Sequence, residues 1–245
     1  MTIDDAAAHE DRSRATEVLL ATARQRLYPS LTDPSYLVLR SRRTIFSRWA
    51  SQLPRQNLRV LDIGGRYQPY RPLLGNKLGQ YIAVDVMQTS LVDVLADGEA
   101  LPFAPGAFDL VILTQVMDCF REPGSAVRQI HEVLKPGGVF LASVPGFAPR
   151  FAEQERWRFT RPGLSTLLSR FAKVEIIPEL YSAGSVVRTM NLALDTFVRF
   201  KSARWVYRRT ACPLLNLLGL AIENARLTSN DQFTANYSIL AVRGE

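Results

Sequence analysis

The chain is poor in the residues that most enzymes use for metal and nucleophile chemistry. Of 245 residues only two are histidine and two cysteine. With His9 and His131 alone, a histidine-based metal site or a Ser-His-Asp triad is poorly supported. Cys119 and Cys212 sit in apolar stretches without metal-ligand spacing, which reads as buried free thiols in a reducing compartment. No apolar run approaches the ~20 residues that span a bilayer. The opening residues carry Asp4, Asp5, Glu10 and Asp11, unlike the basic start of a signal peptide. The expectation is a soluble, cytoplasmic protein with no metal. There is no internal repeat, no low-complexity tract, and no G-x-G-x-x-G dinucleotide fingerprint.

What is present is hydrophobic residue in quantity, 47% of the chain, enough for a sizeable core in one domain with additions. The net charge of +7 is uneven. Residues 12–55 hold nine arginines against Glu17 and Asp33, and residues 185–210 hold six basic residues against Asp195. Such stretches suit an anionic substrate, nucleic acid or an anionic membrane surface, or are simply solvated helix faces.

Periodicity organises the chain. Residues 1–11 read as a polar tail and 12–27 as a helix. A second helix, 34–53, is expected to start on an Asp33-Pro34 cap and to stop at Pro54. From residue 58 short apolar strands alternate with helices: 58–63, 81–84, 91–94, 107–113 and 139–144, with a helix over 123–134. A short helix at 163–170 precedes a strand at 172–177, helical patterns follow at 185–201 and 213–225, and a last strand is expected at 237–242. This predicts an α/β, Rossmann-like, doubly wound, mostly parallel seven-stranded sheet. It has an N-terminal helical extension (1–57), a core (58–182), a helical insertion or lid (183–229) and a C-terminal strand (230–245). The apolar run 213–222 is too short to span a bilayer. It is open between a buried helix, a homodimer contact and, beside the basic residues 199–209, peripheral membrane contact with a lipid-linked acceptor.

Ligands in such sheets bind beyond the carboxyl ends of the strands. The first strand runs through Asp62 into Gly64-Gly65, where free amides and a helix opened by Pro69 would favour a carboxylate. Asp85, followed by Val86, ends the second strand. Ala96-Asp97-Gly98-Glu99-Ala100-Leu101-Pro102-Phe103 follows the third, and Thr114-Gln115-Val116-Met117-Asp118 the fourth. An acid ending strand two can accept two ribose hydroxyls, and an aspartate in the next loop an adenine amino group. Each alone is an ordinary turn former, but together they have the geometry of an adenosine site.

With Val60-Leu61-Asp62-Ile63-Gly64-Gly65, the Ala96–Phe103 loop followed by Phe108-Asp109-Leu110-Val111, and Glu132-Val133-Leu134-Lys135-Pro136-Gly137-Gly138, residues 58–180 resemble class I S-adenosylmethionine-dependent methyltransferases of the small-molecule branch. Trp157-Arg158-Phe159-Thr160-Arg161-Pro162-Gly163-Leu164 resembles members acting on glycans. The resemblance implies S-adenosylmethionine as cofactor. Gly64 and Gly65 would lie against its methionine part, Asp62 would face its amino group, and Asp85 would hold the ribose. Asp97, with Gly98 and Glu99, would hold the adenine, and Gln115 would sit near the sulfur. Two departures stand out. Arg66 and Gln68 replace the family's later glycines, Arg66 either pairing with the cofactor carboxylate or filling the loop. Asp118-Cys119 replaces the family's Glu-His. Asp118 is the candidate base, or a residue that orients the loop. Trp157 and Arg158 would receive the acceptor by stacking and by pairing with an anion, or form a packed hinge. The leading expectation is methyl transfer to oxygen on a small molecule or glycan, neutral or anionic. The alternatives are a non-catalytic scaffold that keeps the fold and a nicotinamide-dependent reductase. Nucleic acid is not expected as a partner, for want of a recognition module.

Overall fold

The structure, a computed structural model, describes residues 3–53, 56–227 and 229–245. In chain order the elements are α1 (Ile3–Leu27), α2 (Tyr36–Gln52), β1 (Leu58–Ile63), β2 (Leu78–Asp85), β3 (Val94–Leu95), β4 (Phe108–Thr114), α3 (Pro123–Val133), β5 (Leu134–Pro145), α4 (Arg161–Leu167), β6 (Lys173–Pro178), α5 (Ser182–Phe197), α6 (Lys201–Arg209), α7 (Ala211–Asn224) and β7 (Asn236–Val242). The seven strands form one sheet in the order β3-β2-β1-β4-β5-β7-β6. All neighbours run parallel except β7, which is antiparallel to β5 and β6. The order reverses between β1 and β4, which opens a crevice beyond their carboxyl ends.

Side-chain alternation along the central strands builds two cores. Val60, Leu110, Ile112 and Leu141 face α2 and the segment joining β1 to β2, where they meet Phe46 and Trp49 of the one and Tyr70 and Leu74 of the other. Leu61, Ile63, Val111, Leu113 and Phe140 face α3 and α4, through Val127, Ile130, Leu164 and Leu168. Both faces of β1, β4 and β5 are thus covered, which is why these strands read as nearly continuous apolar runs.

Several boundaries differ from expectation. Residues 3–11 are helical, consistent with Ala6-Ala7-Ala8 and the absence of Gly or Pro before Pro29. Asp33 does not cap α2 directly. Its Oδ1 accepts the Ser35 N–H at 2.7 Å, and the helix starts at Tyr36. Pro54 lies outside the described residues, but Leu53 before it is already extended, as a residue preceding proline favours. The predicted helix after Gly64-Gly65 is absent. Only a 3-10 stretch, Arg71–Lys77, broken at Gly75, joins β1 to β2.

The N-terminal helices and the insertion pack as one cover. α7 approaches α2 so closely that a Cβ on Gly219 would stand 2.4 Å from Leu37 Cδ1. Asn216, fully buried, donates to the carbonyls of Leu31 and Asp33 at 2.8 and 2.9 Å and accepts from Asn191 Nδ2 at 3.0 Å. The apolar stretch 213–222 is buried on this face only, since Leu214, Leu217 and Leu218 remain exposed. No helix among the described residues is long and apolar enough to cross a membrane. Replacing Asn216 with alanine strands two backbone carbonyls and one amide, so Asn216→Ala is expected to lower stability by about 1–3 kcal/mol, measured by urea denaturation.

Candidate active site

Beyond the carboxyl ends of β1, β2, β3 and β4 lies a cavity of about 830 Å³, at the upper end of the range for small-molecule sites. One end is walled by Ile63, Gly64, Asp85, Val86, Met87, Asp97, Gly98, Glu99 and Phe120, and the other by Asp33, Ser35, Arg42, Tyr70, Arg188 and Asn236, with Arg26 and Arg66 both over the Tyr67 ring near the β1 turn. Gln115, Val116, Asp118 and Cys119 stand between them, after β4. Of the residues named from sequence, Gly64, Arg66, Asp85, Val86, Asp97, Gly98, Glu99, Gln115 and Asp118 meet on this wall.

Four do not. Asp62 shares the β1 face of Leu58 and Val60, pointing at α2 rather than the crevice, and its Oδ2 accepts the Tyr81 hydroxyl at 2.6 Å. Burial, with Asp85 close by and the Tyr81 hydrogen bond only partly offsetting it, lifts the Asp62 carboxyl to about 7. Gly65 packs beneath the turn, where a Cβ would lie 2.7 Å from the Asp62 carbonyl. Trp157 and Arg158 serve as a strap. Trp157 Nε1 donates to the Phe120 carbonyl at 2.8 Å. Arg158 donates to the carbonyls of Ala148 and Pro149 and pairs with Glu155 at 2.7 Å. Their polar groups are taken, and neither lines the cavity.

The turn after β1 also differs from a phosphate or carboxylate cradle. The N–H groups of Gly64 and Gly65 both donate to the Val84 carbonyl, at 2.7 and 3.1 Å, so neither amide is free. With no helix following, no dipole points there either. Gly64 is needed for φ +78° and because a Cβ would stand 2.3 Å from Val116 Cγ2. Gln68 replaces a family glycine yet holds φ +52°. Its side chain turns away, donating to the Leu91 carbonyl and accepting from Arg71. Arg66 lines the cavity and donates to Met87 Sδ.

At the acidic end Asp85 and Asp97 each brace their own turn, accepting the N–H of Met87 and of Glu99 at 2.9 Å. Glu99 holds the amides of Arg121 and Glu122 at 3.0 and 2.7 Å, tying this loop to the start of α3. A Cβ at Gly98 would sit 2.8 Å from Ile63 and Phe120, so only glycine lets the loop pack here. Two carboxylates among Ile63, Val86, Met87 and Phe120 suit a ligand rich in hydroxyl and amino donors with an apolar face. They do not suit a pyrophosphate. The residues present therefore fit the adenosine part of S-adenosylmethionine.

Asp118 follows β4 in a short 3-10 turn, Met117–Cys119. It is 4% exposed, and its Oδ1 has no hydrogen-bond partner. Burial, with Glu155 adding to it, raises its carboxyl to about 6. Cys119 is half-buried on the same wall rather than in the core, and burial beside Asp118 pushes its thiol to about 11. That leaves it protonated and a poor nucleophile. Gln115 holds φ +56°. It is pinned by Ser143, whose backbone carbonyl and hydroxyl accept from its backbone and side-chain N–H groups at 2.8 and 2.9 Å. His131 packs its ring edge on Phe171 at 5.2 Å, away from the cavity. No group of three or more His, Cys, Asp or Glu that could hold a metal occurs among the described residues.

Sequence reasoning missed the floor of the basic end. Glu179 is fully buried and accepts from Arg42 Nε and Nη2 at 2.7 and 2.9 Å, from Ser143 at 2.6 Å, from Ser238 at 2.9 Å and from Asn236 at 3.1 Å. Burial pulls the Arg42 guanidinium down, but the charge of Glu179 outweighs it, and its pKa rises. Arg188, 3% exposed, stands beside this pair on the wall with Nε and Nη1 unpartnered. Arg42 and Arg188 entered the sequence reading only as members of basic stretches.

The Asp118 shift has a consequence for stability. The folded carboxyl holds its proton up to about pH 6 while an unperturbed one releases it near 3.8. Asp118 therefore erodes stability as pH rises through that window and by a constant amount above it. Asp118→Asn is expected to be more stable than the wild type by about 1–3 kcal/mol at about pH 8 and equal to it at about pH 4, read from denaturation curves at the two pH values.

Residues 61–142 match the family described as a methyltransferase domain. Human mitochondrial arginine-hydroxylase NDUFAF5 is 33% identical over 105 residues, covering 38% of this chain and 30% of that protein. The protein of the same name from Danio rerio is 47% identical over 98 residues, covering 36% and 30%. The chain thus matches less than a third of the length of these curated relatives. Among solved structures, phosphoethanolamine N-methyltransferase 2 of Haemonchus contortus, in complex with phosphomonomethylethanolamine and S-adenosylhomocysteine, superposes with a TM-score of 0.53 at 14% identity. That match covers 91% of this chain and 61% of the other, and the likeness is one of fold. With a methyltransferase-domain match over 61–142 at the heart of a seven-stranded sheet of this order, the chain has the Rossmann-like fold of the class I S-adenosylmethionine-dependent methyltransferases.

Proposed function

We propose that the protein is an S-adenosylmethionine-dependent methyltransferase that methylates an oxygen of a small-molecule or glycan acceptor. The observation that carries this reading is the cavity whose wall brings together Asp85, Asp97 and Asp118, the last with a buried carboxyl oxygen that has no hydrogen-bond partner. Asp85 would take ribose hydroxyls and Asp97 an adenine amino group, with Val86, Met87 and Phe120 against the ring. When bound, the cofactor supplies an electrophilic methyl group on a positively charged sulfur. The chain's own part is to align the acceptor, exclude water and hold a proton. Gln115, fixed by Ser143, shapes the wall between the two ends. Asp118 is the acceptor for a hydroxyl proton, since a buried carboxylate that titrates near 6 is ionised at neutral pH and still basic.

Asp118 ionises on the rising side of its pKa, so transfer to an oxygen acceptor is expected to climb as pH passes about 6. The relatives named as arginine-hydroxylases match this chain over less than a third of their length, and support for methyl transfer comes from the site. The spent amides of Gly64 and Gly65 favour a second reading, a binding module that keeps the fold without turnover.

Calorimetric titration separates these readings. S-adenosylmethionine is expected to bind, and Asp85→Ala to weaken it about tenfold or more through lost charge-assisted hydrogen bonds. Binding of NADH instead, or no effect of Asp85→Ala, would overturn the assignment. Mass spectrometry of hydroxylated small molecules and glycans incubated with protein and cofactor then distinguishes transfer from binding without turnover.

A further inference from the structure

We propose that the end of the cavity between α1, α2, α5 and the start of β7 is a subsite for an oxyanion, a carboxylate or phosphate carried by the acceptor, with Arg188 as its anchor. Arg188 projects from α5 into the cavity, is 3% exposed, and has no partner for Nε or Nη1. A buried guanidinium without a counter-ion is costly, and an apolar side chain of similar size is usually tolerated better there.

The charges facing Arg188 do not neutralise it. They are Arg42, Glu179 and Asp33. Glu179 is paired bidentately with Arg42 and takes three further hydrogen bonds, from Ser143, Ser238 and Asn236. Asp33 is occupied by the Ser35 N–H and forms no ion pair with Arg188. Arg26, seated over the Tyr67 ring at 4.4 Å nearer the β1 turn, adds a further positive group to the cavity lining. The fork of an arginine matches a carboxylate or phosphate in two parallel hydrogen bonds. Asp85 and Asp97 at the far end repel such a group, so the anion would enter at Arg188 and turn the rest of the acceptor toward Asp118. The word acceptor rests on the methyltransferase reading. The anion subsite rests on the orphaned guanidinium.

The test is thermal unfolding and calorimetric titration of the full chain saturated with S-adenosylhomocysteine, using inorganic phosphate and acetate as separate probes at constant ionic strength. At least one probe is expected to raise Tm and to bind. Arg188→Met is expected to raise the Tm of the anion-free protein, to weaken anion binding about tenfold or more, and to leave S-adenosylhomocysteine affinity unchanged. If neither probe binds the wild type, if the anion response survives in Arg188→Met, or if that variant lowers the anion-free Tm, the proposal falls. A parallel loss of S-adenosylhomocysteine affinity would hand Arg188 to the cofactor and also overturn it. If Arg188→Met does not fold, Arg188→Lys decides. Anion binding weakened several-fold in a folded protein supports the subsite, and unchanged binding removes it. If S-adenosylhomocysteine itself does not bind, the methyltransferase reading fails, and the anion arm is judged by the same criteria on the free protein.

Discussion

The ion pair of Arg42 and Glu179 is the constraint on which the arrangement of this molecule depends. Both groups are buried, and they meet bidentately across 137 residues of sequence. Breaking one partner of such a pair costs ~3–5 kcal/mol because the other charge is left without water. The pair therefore holds α2 against the ends of β5 and β7, through Ser143, Ser238 and Asn236. Through Ser143 it also reaches Gln115, whose left-handed backbone is maintained only because its amide groups are pinned. The cover and the β4 side of the cavity thus share one polar joint. Asn216 adds a second fastening, from α7 to the loop that carries Asp33.

That joint also sets the polarity of the cavity. Because Glu179 is consumed by Arg42, the neighbouring Arg188 keeps an uncompensated charge, while Asp85 and Asp97 make the opposite end acidic. A molecule entering such a cavity is oriented by field as much as by shape, because charges in a water-poor space are weakly screened. Asp118 lies between the two ends. Its raised pKa follows from burial more than from any neighbour, and the 155–158 strap lies against its turn. The backbone N–H groups of Arg156 and Trp157 both donate to the Asp118 carbonyl, at 2.7 and 3.2 Å. Trp157 and Arg158 contribute to the site by closing it.

The elements legible in the sequence were those with a local signature. Nearly continuous apolar runs in 107–113 and 139–144 marked β4 and β5, because strands buried on both faces are apolar throughout. Asp85, Asp97, Gln115 and Asp118 could be placed because each follows an apolar run directly, and strand ends of a parallel sheet converge on one crevice. Asp62 follows the same logic only in part. It lies inside β1, and strand parity puts it with Leu58 and Val60, away from Leu61 and Ile63. Glu179, Arg42 and Arg188 carried no local signal, since a polar residue in a helix or just past a strand is normally solvated. Only contacts between distant segments make them buried. In the Trp157–Leu164 stretch, composition left acceptor binding and a packed hinge both open, and the contacts of Trp157 and Arg158 are those of a hinge.

The loop after β1 shows how far geometry and chemistry can separate. Its later glycines are gone, yet Gln68 adopts the left-handed backbone that glycine would, at a cost of about 1–2 kcal/mol, offset by its bonds to Leu91 and Arg71. The course of the turn is kept. What is lost is the chemistry of bare amides at a helix start, because Val84 takes both glycine N–H groups and only a 3-10 stretch follows. Positive charge at this point comes instead from side chains, Arg66 and Arg26, which flank the Tyr67 ring at 5.2 and 4.4 Å. An anionic end bound here would be held by guanidinium groups on movable stems rather than by a rigid backbone. The loop then contributes shape, and the N-terminal helix supplies part of the charge, which makes α1 part of the site and not an appendage to it.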